Sequence, residues 1–454
     1  MTQLQVFLDG QLAGILTHSP RENLFSFSYD FSWLAGREPY ALCPDLPIRE
    51  NPDLPPAIHS AIVQNFFGNL LPEGQALTEA AAANKIGKGN IVGLMIALGR
   101  ETAGALSLHL VRADVEEQLP TAPAIADDTS RRPLTFAELS ERIRDRPNIP
   151  FSVWDGKVRL SIAGYQDKVA VFEQEGNWYM IDSGAIASTV ILKPEPVSAH
   201  LAGLTSNEFF CMKLAKYVGL PTAHVRLVRV PEPVLAVDRF DRVVYEDRVQ
   251  RLNVIDGCQA LGLSASQKYE RNVGDGEHVK HIREGASLPL LFGLLNQTTY
   301  PAAQRLQLLR WQIFQILIGN TDAHAKNISF FNDADGLRLA PTYDLVSTLA
   351  FDENAVETSF AMAIGDAFKA AELTPYEWAN FAYQCQVNPR QVSSEITRMC
   401  ARLSAAVALW ELEEDMKGLD REVAARVVKV IERMTAHHTH IAKEIVTVDR
   451  SMFE

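Results

Sequence analysis

The sequence predicts an α+β fold in which a β-rich region precedes a helix-rich one. Two observations carry this. Short runs of alternating apolar and polar residues recur up to about residue 240, and apolar residues at helical spacing dominate after residue 250. A third observation breaks the order: residues 207–218 read as a helix set among the strands, with Gly219 as its stop.

The elements follow in sequence. Residues 4–16, LQVFLDGQLAGIL, alternate around Asp9-Gly10, two residues that accept the positive φ of a tight hairpin turn. Residues 25–29 alternate likewise, 56–70 and 76–84 read as helices, and 104–111 as a strand, closing a small α+β unit over 1–112. Residues 113–134 are rich in Pro, Ala and acids and have no period, so a linker or exposed loop is expected. Strands are expected over 158–162, 169–172, 178–181, 190–193, 225–230 and 234–237, which makes 135–242 a second, β-rich unit. Residues 243–454 form the helical unit, with a helix over 303–318, two short strands over 328–331 and 337–339, and a long amphipathic helix over 422–445.

Composition narrows the class. With 454 residues, 47% hydrophobic and 22% charged, the chain has the make-up of a globular protein of two or three packed units. A formal net charge of -13 disfavours sequence-blind binding of nucleic acid by the chain itself. Cys43, Cys211, Cys258, Cys385 and Cys400 are far apart and form no CxxC pair, so buried free thiols in a reducing compartment are expected, not disulfides or zinc. The first residues lack a basic stretch followed by an apolar one, and no run of 18 apolar residues occurs. The expected location is the cytoplasm, with no membrane partner.

Chemistry concentrates in residues 319–327, GNTDAHAKN, just past an apolar helix. Asp322 and Asn327 have the D-x-x-x-x-N spacing of a kinase catalytic loop. A carboxylate there orients an acceptor hydroxyl and takes its proton. A neutral amide oxygen holds Mg2+ without adding charge beside ATP. Asp344, in Pro341-Thr342-Tyr343-Asp344-Leu345, follows the expected hairpin and supplies a second acid. Like charges 4 Å apart at an effective dielectric of 20 repel by about 4 kcal/mol per pair, and a bound Mg2+ reverses that sign. Read alone, Asn320-Thr321-Asp322 could equally cap a turn.

Three further segments bear on phosphate and nucleotide. Ser161-Ile162-Ala163-Gly164-Tyr165-Gln166-Asp167-Lys168 lies between two expected strands, where backbone N–H groups can approach phosphate oxygens or simply close a turn. Lys193, at the end of Val190-Ile191-Leu192-Lys193-Pro194, suits a strand lysine facing ATP phosphates, with Glu208 as its possible partner; an ordinary edge lysine is the plainer reading. Asp238-Arg239-Phe240-Asp241-Arg242 stands where a kinase hinge would lie, or forms a surface salt-bridge cluster.

In this order the segments resemble the HipA family of bacterial serine/threonine kinases, the toxins of HipBA-type toxin–antitoxin pairs. SIAGYQDK, ILKP, RFDR, CQALG, NTDAHAKN and YDL carry the likeness, together with FGNLLPEG and LGRETAGAL near the N-terminus. The resemblance implies a bilobal protein-kinase-like fold: a β-rich N-lobe, an extra N-terminal α+β subdomain and an all-helical C-lobe. It implies that Asp322 is the catalytic aspartate and that Asn327 and Asp344 bind Mg2+. Lys193 would meet ATP phosphates, Ala163, Gly164, Tyr165, Gln166, Asp167 and Lys168 would form the phosphate loop, and Asp238, Arg239 and Phe240 the adenine hinge. His324, Ala325, Lys326, Asn327 and Tyr343 would line the nucleotide, and Ser161 would be autophosphorylated, which ejects the loop. It also implies a small helix-turn-helix antitoxin (HipB-like) that binds operator DNA, and protein targets in translation, aminoacyl-tRNA synthetases among them. The segment Arg251-Leu252-Asn253-Val254-Ile255-Asp256-Gly257 lacks the His and Glu the family often carries there, which bears on target choice. Two alternatives are a small-molecule phosphotransferase of aminoglycoside-kinase type and a pseudokinase serving as a repressor partner. The matching N-terminal unit disfavours the first, and the intact Asp322, Asn327, Asp344 and Lys193 the second.

Overall fold

The computed structural model describes residues 1–49, 54–111, 131–155, 157–158, 166–181, 186–246, 248–409 and 416–453. The expected strand over 158–162, the loop residues Ser161, Ala163, Gly164 and Tyr165, and most of the expected linker lie wholly or largely outside them. Helices and sheets are mixed in two compact units. The first comprises Met1–Pro194, Val228–Ala265 and Phe331–Gly336; the second comprises Glu195–Leu227, Ser266–Phe330 and Leu337–Glu454.

The first unit opens on an antiparallel sheet in the order Leu24–Tyr29, Gln11–Ser19, Thr2–Leu8, Leu106–Leu110. Asp9 (φ 45) and Gly10 (φ 82) make the expected turn, both in the left-handed region that a two-residue hairpin requires. A register shift between Val6 and Phe7 lets both side chains reach the core. Helix Pro56–Gly68 lies on this sheet: Phe25 N donates to Ser60 Oγ at 2.8 Å, and Phe27 meets Phe67 with ring centres 5.8 Å apart.

A second sheet runs Val225–Arg229, Pro233–Asp238, Val190–Pro194, Val169–Gln174, Asn177–Ile181, Arg131–Leu134. Helix Phe136–Arg144 puts Leu139 and Ile143 into its core with Val169, Val171, Trp178 and Leu192. Arg131–Leu134 is thus a strand, paired Arg131 to Ile181 through Leu134 to Trp178, not the end of a linker. An edge strand of four residues with two arginines and a proline shows no alternation to read, and Pro is tolerated at an edge.

A buried charge cluster ties residues 101–104 to 188 and 239–242, all in the first unit. Arg239 bonds Asp241 (2.6 Å) and Ser188 Oγ (2.8 Å); Arg242 bonds Asp241 (2.9 Å) and Gly104 O (2.8 Å); Glu101 accepts from Ser188 N (2.8 Å). Gly104 N donates to Asp241 at 2.8 Å, and Gly104 (φ 74) approaches Val254 so closely that a Cβ would lie 2.7 Å from its carbonyl oxygen. Burial opposes the Asp241 charge, but Arg239 and Arg242 together hold its carboxyl well below the usual range. The DRFDR segment is therefore an interior network and not a surface cluster.

The second unit packs helices Leu204–Tyr217, Pro301–Ile318, Pro375–Gln384, Pro389–Val407 and Leu419–Ile441. Phe209, Phe314, Leu317, Ile396, Leu403, Val427 and Ile431 are all buried. Two features differ from expectation. Helix Leu204–Tyr217 belongs here and not with the sheet, because it buries one side against Leu419–Ile441, where Ser206 Oγ donates to Asp420 at 2.5 Å. Residues 243–265 pack with the first unit, so the division near residue 242 is not kept. Nor is the C-terminal half all-helical: Ser329–Asp333 and Gly336–Leu339 are strands, and Thr222 bridges Thr342 in parallel. The five cysteines are buried and free, and no helix among the described residues is long and apolar enough to cross a membrane.

Candidate active site

Helix Pro301–Ile318 stops at Gly319, whose φ of 67 lets Asn320 N reach back to Gln315 O at 2.9 Å. There is no room for a side chain: a Cβ would lie 2.8 Å from Val430 Cγ1 and 3.1 Å from Leu349. The loop that follows is pinned at each step. Buried Asn320 donates to Gln315 Oε1 at 2.9 Å and accepts from Asp322 N at 3.0 Å. Thr321 N and Oγ1 both meet Thr348 Oγ1 at 2.7 Å, and Thr321 Oγ1 donates to Glu357 O at 2.7 Å. Asn327 Nδ2 donates to Asp322 O at 2.9 Å, closing the loop on itself. That bond fixes the amide and leaves its Oδ1 as an acceptor.

Asp322 carries a side chain that is 56% exposed, whereas His324 beside it is 8% exposed. Tyr269 Oη donates to Asp322 Oδ1 at 2.5 Å. His324 Nε2 lies 3.9 Å from the same oxygen, and the Tyr269 ring meets the imidazole edge-on at 5.1 Å. Burial and the nearby Lys268 charge push the His324 pKa down to about 3, so the ring is neutral; its Nδ1 has no hydrogen-bond partner among the described residues.

Tyr343 and Asp344 reach the same place from the other side of the hairpin. Tyr343 Oη donates to Lys326 O at 2.8 Å and accepts from Ser329 Oγ at 2.7 Å. Asp344 stands at φ 57, a conformation that side chains other than Gly rarely adopt, and its charge is felt by His324. The chain after it is held by two buried bonds, Ser347 N to Asn207 Oδ1 at 2.8 Å and Asn207 Nδ2 to Ser347 O at 3.0 Å. Asp322, His324, Ala325, Lys326, Asn327, Tyr343 and Asp344 are thus gathered within the second unit. An amide oxygen and a carboxylate are hard donors, the kind Mg2+ takes when phosphates and water complete its shell.

Of the remaining expected residues, Gln166, Asp167, Lys168, Lys193, Asp238, Arg239 and Phe240 belong to the first unit. Lys193 is buried at the end of Val190–Pro194, opposite Leu235, and Lys168 is buried at the head of the neighbouring strand. Glu208, its expected partner, is buried in a helix of the second unit. Asp167 pairs with Arg146 at 3.2 Å, and Gln166 Nε2 is buried without a partner among the described residues. Asp238 pairs with Val190 across the sheet, and Phe240 meets Phe331 edge-on at 6.0 Å. Arg239 commits its guanidinium to the charge cluster, and its N–H donates to Thr189 O at 2.9 Å.

Comparison with known proteins assigns the chain. The HipA N-terminal domain family matches residues 4–109, and the HipA-like C-terminal domain family matches 160–407. The serine/threonine-protein kinase toxin HipA of Shewanella oneidensis is 36% identical over 420 residues, 91% of each chain. This chain belongs to the HipA family of serine/threonine kinases. A putative kinase of Sinorhizobium fredii, Y4mE, is 34% identical over 410 residues, 89% of this chain and 91% of the relative. The solved HipA of Shewanella oneidensis MR-1, in complex with HipB and its operator DNA, superposes with a TM-score of 0.82 at 33% identity, covering 98% of this chain and 100% of that one.

Sequence reasoning missed two residues around this HipA-family site. Asn207 acts on the backbone of Ser347, 140 positions away, and nothing in its neighbours announces the partner. Tyr269 is separated from Asp322 by 53 positions, in a segment with no period.

Proposed function

We propose that this chain is the Mg-ATP-dependent kinase toxin of a type II toxin–antitoxin pair, with the bilobal architecture of protein kinases. The observation that carries the reading is the closed Asp322–Asn327 loop, with Asp344 brought beside it, in a chain similar to a HipA kinase along nearly its whole length.

Asp322 takes the proton of the acceptor hydroxyl, and its exposure lets a protein serine reach it. Asn327 and Asp344 would hold Mg2+, which when bound neutralises phosphate charge during transfer. Lys193 and Lys168 provide cations for phosphate oxygens, with Ala163, Gly164, Tyr165, Gln166 and Asp167 completing the phosphate loop. Asp238 and Phe240 border adenine, and His324, Ala325, Lys326 and Tyr343 line the nucleotide. A neutral His324 adds no charge beside the phosphates and does not neutralise Asp322. Phosphate on Ser161 adds nearly two negative charges to the phosphate loop, which repels ATP and shuts the enzyme off.

The partner is a small helix-turn-helix antitoxin, HipB-like, that contacts operator DNA. The net charge of -13 supports leaving DNA contact to that partner. The target is a protein of translation, of aminoacyl-tRNA synthetase type. The test is incubation of the purified chain with γ-labelled ATP and Mg2+. Self-labelling is expected at Ser161 and is lost in Asp322→Ala and in Asp344→Ala. Wild-type labelling in either variant, or phosphate found by mass spectrometry only away from Ser161, overturns the corresponding assignment.

A further inference from the structure

We propose that Tyr269 is a positioning residue for phosphoryl transfer: its hydroxyl fixes the Asp322 carboxylate in the orientation that receives the acceptor proton. This rests on the reading of Asp322 as the base. The backbone of residues 319–327 is held at nearly every polar group, yet the working side chain projects into solvent. An exposed carboxylate turns freely about its last bonds unless something holds one oxygen. Tyr269 Oη, 2.5 Å from Oδ1, is placed to do so. A phenol donating to a carboxylate is a charge-assisted bond, shorter and stronger than a neutral one.

A hydroxyl in that place could instead be a gate that leaves when substrate arrives. The surroundings of Tyr269 favour a fixed post. Its ring packs edge-on against buried His324 at 5.1 Å, and Lys268 Nζ sits over it, 5.4 Å from the ring centre. The preceding carbonyl, Lys268 O, accepts from Ala325 N at 3.1 Å, inside the catalytic loop itself. On the other side Glu270 is buried and anchored three ways: its N to Ala361 O at 2.9 Å, its carboxylate to Arg283 at 2.6 Å and to Ala363 N at 2.8 Å. Gly285 runs so close that a Cβ would lie 1.8 Å from Tyr269 O. A side chain on a backbone held this firmly is suited to orient and not to swing. Its hydroxyl touches the base, so it acts through Asp322.

The experiment is Tyr269→Phe in the full chain, which keeps the ring against His324 and Lys268 and removes only the donor. Self-labelling by γ-labelled ATP is measured over a range of ATP concentrations, with melting temperature as a folding control. The expected result is a maximal rate lower by about 10-fold to 100-fold, the scale of a misaligned reacting group. The ATP concentration giving half the maximal rate stays as in the wild type, and so does the melting temperature. An unchanged maximal rate, or a raised one, overturns the proposal, the latter because Tyr269 would then be a gate. Phosphate on Tyr269 of the wild type also overturns it, since the residue would be an acceptor. Asp322→Ala run alongside separates the two readings: activity retained there removes the base itself, whatever Tyr269→Phe does.

Discussion

Asp322 is the least enclosed member of the cluster around it, whereas His324, Lys326 and Asn327 are buried. Spacing in the sequence pointed to Asp322, Asn327 and Asp344 because the chemistry proposed for them fixes residue type and separation. It could not reveal Tyr269, whose position is set by packing between distant segments. His324 illustrates a second limit: sequence marks it as a site residue, but only its burial decides its charge. With a pKa pushed down to about 3, it is neutral throughout the working range. The same holds for His438, which burial pushes to about 4 while its Nδ1 bonds Met434 O at 2.8 Å. Both values lie below the ordinary 6.5 of a histidine, so the unfolded chain binds protons that the folded chain refuses. Stability is therefore full above about pH 6.5 and is lost as pH falls from there toward 4 and then 3. Urea midpoints measured from pH 7.5 to 4.5 should fall, and fall less steeply in His438→Gln. An equal slope in that variant would show that His438 is not among the causes.

At the level of elements, the end of helix Pro301–Ile318 is the part on which the site depends. Gly319 combines a left-handed backbone with contacts to Val430 and Leu349 that exclude a Cβ. Gly319→Ala should lower stability by about 1–2 kcal/mol from backbone strain alone, and should also shift the loop and depress kinase activity. Chemical denaturation with a parallel labelling assay checks both; a variant stable but inactive would confine the effect to the loop. Asn207→Leu removes both buried bonds to Ser347, leaving two backbone groups unsatisfied at about 1–3 kcal/mol each. Activity should fall with it, because Ser347 follows Asp344 by three positions. Most elements were legible: the first hairpin, the strands at 169–174 and 190–194 and the helix ending at Ile318 each announce themselves by period and by a turn or stop residue. Arg131–Leu134 does not, since an edge strand of this composition borrows its structure from Asn177–Ile181.

For the whole molecule, the two matched family domains do not coincide with the two compact units. Residues 4–109 and 160–407 are the matched domains, yet Glu101, Thr102 and Gly104 complete the ion network of Arg239, Asp241 and Arg242 within one unit. Glu101→Ala should destabilise the chain by about 3–5 kcal/mol, as breaking a buried ion pair does, and a chain beginning at residue 131 should be insoluble. A soluble, cooperatively melting truncation would show the network to be dispensable. The boundaries were the least legible feature of the sequence, because both units are assembled from separate stretches and composition changes only along the chain.

That interleaving has a consequence for how the protein is made. The chain leaves the ribosome N-terminus first, and parts that complete early fold early. Here the first unit waits for Phe331–Gly336 and the second for Leu419–Ile441, whose Val430 seats against Gly319. The loop carrying Asp322 is synthesised more than 90 residues before the helix that braces its entry. A nascent chain thus holds every proposed catalytic side chain before it holds a braced site, and kinase activity is expected only after Leu419–Ile441 has emerged.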